Sequence, residues 1–281
     1  MNYTSYIDSL PIPDCALQIN GKFLERNVPG YRTNSVDGRQ QWGVDLTEIT
    51  TDLRNGSIYR RKKDQSREFT VKFNITTDSR LTFNSSWNRL RWFLSTESSK
   101  FIFNDEPNLY MIGNVTNLSE EAITADGINA YSMSGSYTVH LSDPYKYSVD
   151  EVKVPMTTQG DQHVFNANNA GLFPSKPRFE ITCGSDLGGI FIVSPHGPTL
   201  LVGDTSLPIG DAAIKFHKGD KLVIDTVGTN ITLNGIPVPA YGDIANSWEE
   251  FEILNGANLI LCNYTSAASI SANMFYREVY R

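Results

Sequence analysis

The side chains that could do chemistry in this chain are few and scattered. Four histidines, His140, His163, His196 and His217, lie more than twenty residues apart, and none falls in an H-E-x-x-H or comparable spacing. A metal site would need such groups to converge from separate elements, and an isolated histidine is ordinarily a surface or core residue. Two acidic pairs, Asp105-Glu106 and Glu120-Glu121, offer the carboxylates that glycoside hydrolysis requires. Sequence neighbours on a strand point to opposite faces, however, so adjacency favours solvated loops over a shared site. The chain has no G-x-S-x-G elbow, no GxxxxGK[ST] loop and no GxGxxG after a strand. These observations predict a protein without catalysis, metal or cofactor.

The densest charge is Arg60-Arg61-Lys62-Lys63, with Arg54 and Arg67 close by. Its commoner meaning is a solvated loop ahead of the strand that starts near Arg67. Its functional meaning is a polar contact with an acidic neighbouring subunit, and no other segment offers a better candidate for an assembly contact. The net charge is −7, divided as 15 Lys/Arg against 17 Asp/Glu over 1–145 and 9 against 14 over 146–281. Neither half has the basic excess of a protein that grips nucleic acid through phosphates. An acidic or neutral wall would let a polyanion slide past without retaining it.

Cys15, Cys183 and Cys262 form no CxxC pair, and an odd, sparse set suits a reducing compartment. A Cys183–Cys262 bridge is the less favoured alternative. The opening MNYTSYIDSLPIPD has neither the basic start nor the apolar core of a secretory signal, and no apolar run approaches the roughly 20 residues of a membrane span. Membrane insertion is not expected.

The elements that must position these residues are mostly strands. Phe69 to Ile75 alternates apolar and polar without a break, and Ile270, Ala272, Met274 and Tyr276 repeat the pattern. Asn234-Gly235 between two apolar runs predicts a two-residue hairpin, whose second strand Pro237 confines to a sheet edge. Only Ser85–Thr96 reads as a helix, with Trp87, Leu90 and Leu94 on one stripe, Trp92 off it, and Asn84, Ser85 or Ser86 as its cap. One helix among many short strands predicts an all-β protein of sandwiches or barrels. Asp143 before Pro144 favours an extended link over Ser142–Ser148, dividing the chain into domains 1–145 and 146–281.

The order of several segments resembles the siphophage distal tail protein family. The N-terminal resemblance lies in the Gly38-Arg39 region, Arg67–Ile75, the Ser85–Thr96 helix, KFIFNDEPNLYMIGNVTNL over Lys100–Leu118, and Tyr137–Tyr145 ending Asp-Pro-Tyr. The C-terminal resemblance lies in NANNAGLFPSKPRFEIT over Asn166–Thr182, Gly219–Asp225, the Asn234-Gly235 hairpin, Phe251–Asn258 and the aromatic close Met274–Tyr280.

This resemblance implies a ring-forming N-terminal β-domain carrying a helix, followed by a galectin-like β-sandwich. It implies a structural virion protein at the distal end of a tail, assembled in the bacterial host cytoplasm. Six first domains would close a ring, singly or as two stacked rings, between the tail-tube protein and the tail-associated hub protein. DNA would pass through the channel without specific binding. In some members the second domains carry receptor-binding proteins. Here 146–281 has room for little beyond the sandwich, so an inserted sugar-binding module is not expected. The alternative from another class is a carbohydrate-binding module or adhesin acting through the second domain, for which Tyr241 and Tyr264 are the available rings.

Overall fold

A computed structural model describes residues 3–50, 55–126, 130–160, 162–204, 214–264 and 269–281. The chain divides into two compact units, Met1–Val149 and Asp150–Arg281. Among the described residues, no helix is long and apolar enough to cross a membrane.

The first unit contains α1 (Tyr3–Ser9), β1 (Leu17–Ile19), β2 (Lys22–Phe23), α2 (Leu24–Asn27), β3 (Tyr31–Asp37), β4 (Val44–Thr50), β5 (Ser57–Asp64) and β6 (Arg67–Thr77). It continues with α3 (Arg80–Leu94), β7 (Ser99–Phe103), β8 (Leu109–Asp126), β9 (Ala130–Leu141) and β10 (Lys146–Ser148). Its main sheet runs β2-β1-β7-β8-β9-β6-β3, while β4 and β5 form a separate two-stranded sheet. The expected alternation is explicit in β6, whose Phe69, Val71, Phe73 and Ile75 are buried between exposed or half-buried neighbours. Opposite them on β9 lie Val139, Tyr137 and Met133, in registers Phe69↔Val139, Val71↔Tyr137 and Ile75↔Met133. These faces join Phe101, Phe103 and the helix residues Phe83, Leu90, Phe93 and Leu94 in one core.

Helix α3 starts five residues before the expected Ser85. Ser79 is its cap, in extended conformation, with its side chain accepting from the Thr82 amide at 3.1 Å. Asn84, Ser85 and Ser86 therefore lie within the helix and do not cap it. The extra turn brings Phe83 into the core, and Trp92 stays 63% exposed.

The segment Ser142–Ser148, expected as a link, contains β10, where Tyr147 pairs with Tyr110 of β8. The division between units falls after Val149.

The second unit has β11 (Val152–Pro155), β12 (Thr157–Gln159), β13 (Gln162–Asn169), β14 (Arg178–Cys183), β15 (Gly189–Val193) and β16 (Thr199–Gly203). These are followed by β17 (Lys221–Asp225), β18 (Asn230–Leu233), β19 (Ile236–Pro237), β20 (Gly256–Tyr264), β21 (Ile270–Tyr276) and β22 (Val279–Tyr280). Two antiparallel sheets, β11-β21-β14-β17-β18-β19 and β12-β13-β20-β15-β16, form a sandwich. Phe179, Ile181, Ile224 and Met274 from one sheet meet Phe165, Ile190, Ile192 and Ile260 from the other in a single core. Asn234 and Gly235 take φ of 52° and 82°, as a two-residue hairpin requires, and β19 with Pro237 is the edge strand. Cys183 and Cys262 are buried in this core, and all three cysteines are free thiols.

Candidate assembly surfaces

Of the residues that sequence singled out for chemistry, Asp105, Glu106, His140 and His163 are engaged in structural contacts. Arg39 reaches Asp105 at 2.8 Å and Glu106 at 2.8 Å, its guanidinium lies 3.9 Å from the centre of the Phe103 ring, and Lys146 approaches Glu106 at 2.9 Å. Burial opposes ionisation of Glu106, yet the hydrogen bonds from Lys146 and Arg39 outweigh it and hold the carboxyl below its usual range. This carboxylate is a clamp between the Gly38-Arg39 turn, the 103–109 turn and β10. A general acid would need its pKa raised, the opposite shift.

Glu120 lies exposed on β8, while the Glu121 side chain and all of Arg54 lie outside the described residues. His140 pairs with Glu68 at 3.0 Å, and His163 accepts or donates to Thr158 at 3.2 Å. Among the described residues, no three side chains of metal-ligand type are grouped. Tyr264 stacks on His163 at 4.7 Å, and Tyr241 meets Phe216 edge-on at 5.7 Å, so each ring has an intramolecular partner.

The first candidate surface is the β4–β5 hairpin, where the run Arg60–Lys63 lies on β5 and not in a loop. Nearly every side chain of the hairpin is exposed or half-exposed, including Leu46, Ile49, Ile58 and Tyr59. An isolated two-stranded hairpin is marginal in water, and exposed apolar residues on both strands need a cover. Its base is tied by the Gln65 amide to the Gly43 carbonyl at 3.0 Å and by Tyr145 Oη donating to Asp64 at 2.6 Å.

A bulge between Thr47 and Glu48 leaves Arg60 without a directly opposed partner, and the basic run is split by the pleat. The pairs Asp45↔Lys63, Thr47↔Arg61 and Ile49↔Ile58 share one face, whereas Leu46↔Lys62 and Glu48↔Tyr59 share the other. Lys62 is drawn to the exposed Trp42, 5.5 Å from its ring centre. Sequence reading missed the hairpin, although Val44, Leu46 and Glu48 alternate with Asp45, Thr47 and Ile49. With both faces open, the pattern carries no apolar side to recognise.

The second surface is an open groove of about 500 Å³ between α3 and β8, with Trp87, Leu94, Val115 and Leu118 as its apolar wall and Arg91 and Glu120 beside them. It continues past Glu97 and Asn114 at the helix C-terminus. β7 pairs with β8 over Met111–Gly113, and beyond Gly113 this side of β8 has, among the described residues, no strand beside it. Two bulges interrupt the strand, between Val115 and Asn117 and between Glu120 and Ala122. Bulges of this kind blunt indiscriminate edge pairing.

Residues 15–141, the greater part of the first unit, match the model of the phage tail protein RIFT-related domain. This segment of the chain is therefore similar to a phage tail domain. Over 95% of its length it matches 99% of the SPP1 Dit protein, the hub of an adsorption apparatus in phages infecting Gram-positive bacteria, with a TM-score of 0.73 at 15% identity. A chain of the activated phage P2 baseplate matches less closely, with a TM-score of 0.51 at 6% identity over 88% of this chain and 90% of that one. At these identities the likeness is one of fold, and it gives the chain the all-β fold of the siphophage distal tail proteins. No curated protein matches the sequence.

Proposed function

We propose that this protein is a ring subunit at the distal end of a siphophage tail, six copies joining the tail tube to the hub and host-recognition apparatus. The observation that carries this reading is the match over 95% of the chain to a Dit fold, built around a tail domain whose exposed two-stranded hairpin pairs, among the described residues, with no other strand. Such a hairpin gains its missing cover in an assembly. The role is structural, without turnover: the best-placed carboxylate pair is consumed by Arg39 and Lys146. The first unit forms the ring, and the galectin-like second unit projects from it toward baseplate or receptor-binding components. DNA passes through the channel without specific binding, as the −2 balance of residues 1–145 favours. A sugar-binding reading gains nothing from Tyr241 and Tyr264, whose rings are already packed.

Negative-stain images of the purified chain test this directly. Six-fold particles with a central hole are the expected result; isolated single-chain particles at every concentration, with and without tail-tube protein, would refute it.

A further inference from the structure

The two surfaces of the first unit each combine apolar residues with charge, cationic at Arg61 and Lys63 on the hairpin and carboxylate at Glu120 and Glu97 on the groove. The hairpin face bearing Asp45, Thr47 and Ile49 opposite Lys63, Arg61 and Ile58 has a small apolar pair with Arg61 and then Lys63 following it on the same side, toward the hairpin base. Among the described residues, neither Arg61 nor Lys63 is in an ion pair, whereas the hairpin's carboxylates are engaged: Glu48 accepts from Ser57 at 2.6 Å, Asp64 from Tyr145 at 2.6 Å, and Asp45 from Gln65. The groove between α3 and β8 has an apolar wall of Trp87, Leu94, Val115 and Leu118, with the carboxylates of Glu120 and Glu97 exposed along it and the cation of Arg91 also lining it.

We infer that the β4–β5 hairpin of one copy seats in the α3–β8 groove of the next, with Ile49 and Ile58 on the apolar wall and Arg61 facing Glu120. The occupant is a second copy of this chain. This inference rests on the ring reading and names the contact that closes the ring. It joins two different surfaces of the same chain, so repetition either closes a ring or runs on as a filament. The bulges in β8 argue that side chains seated in the groove, more than a continuous added strand, set the register. An interfacial charge pair of this kind suppresses wrong partners and fixes register.

Charge exchange tests the contact. Arg61 and Glu120 are both exposed in the single chain, so Arg61→Glu and Glu120→Arg should leave the thermal midpoint and circular dichroism of the monomer unchanged. Each single variant should need at least about tenfold higher concentration to reach the hexamer mass. The double variant R61E/E120R should recover assembly. An equimolar mixture of the two single variants should also recover it, because alternating copies then meet through one native and one exchanged pair, and six is an even number. Three results would overturn the inference. Single variants that assemble like the parent leave the ring standing but move its contact elsewhere. Single variants that dissociate and are rescued neither by mixing nor by the double exchange show that these residues do not face one another. A parent chain that stays monomeric takes both the contact and the ring reading down.

Discussion

At the scale of single residues, Arg39 has the most consequential position in the first unit. Its guanidinium touches Asp105, Glu106 and the Phe103 ring together. Arg39→Ala would leave the half-buried Glu106 with Lys146 alone and strip Asp105 of this ion pair. A loss of about 1–3 kcal/mol is expected in urea unfolding of the whole chain, since a hydrogen bond to a charged group contributes that much and the pair is partly solvated.

The pH dependence has a definite sign. The carboxyl of Glu106 titrates below its ordinary 4.5 in the folded chain, so its contribution is fully present above that value. It disappears as the pH falls from about 4.5 through the folded pKa, and R39A should flatten that part of the stability curve. An equal slope in parent and variant would show that the clamp does not carry it. Arg39 was visible in the sequence only as a polar position after Gly38. Its partners sit 66 and 67 positions away, and no local pattern announces such a pairing.

Elements show where sequence patterns are sufficient. A strand with one buried face writes its register into the alternation of side chains, which is why Phe69–Ile75 and Ile270–Tyr276 are legible. The Asn234-Gly235 turn is legible because few residues accept positive φ at two successive positions. Its Gly235→Ala variant should cost about 1 kcal/mol, as open space surrounds the missing Cβ and only the φ of 82° resists it. Gly30→Ala should cost more, about 1–3 kcal/mol beyond the backbone strain, because its Cβ would come within 2.2 Å of the Thr76 carbonyl oxygen at the β3–β6 pairing. Thermal melts of the two variants side by side check the order; a larger loss for G235A would contradict it.

The start of α3 was misplaced because several short polar residues precede the apolar stripe and each has the chemistry of a cap. Ser79 holds the position in extended backbone geometry, and Ser79→Ala should cost about 1 kcal/mol in the same assay. The β4–β5 hairpin escaped detection for the opposite reason. It has no buried face, so charge density was the only signal it gave, and charge density alone does not separate a strand from a loop.

Taken whole, the molecule has two well-packed cores and an exposed hairpin that neither core supports. The fold class follows from strand patterning, and the resemblance over nearly the full chain anticipates the distal tail fold that the structural match shows. The candidate assembly surfaces were not legible to the same degree, because they are defined by which faces remain uncovered after folding. Deleting 44–64 with a short Gly-Ser connection should leave both cores folded while abolishing assembly, since among the described residues the hairpin pairs with no other strand. Loss of the cooperative melt in that variant would mean that the hairpin stabilises the first unit itself.

The central claim, a closed ring of six, is tested most directly by the mass of the purified chain in solution measured by light scattering across concentration. The account predicts a plateau at about six times the chain mass of 31.4 kDa, or twice that for two stacked rings. A mass that stays at 31.4 kDa up to the highest concentration, with tail-tube protein present or absent, would contradict it.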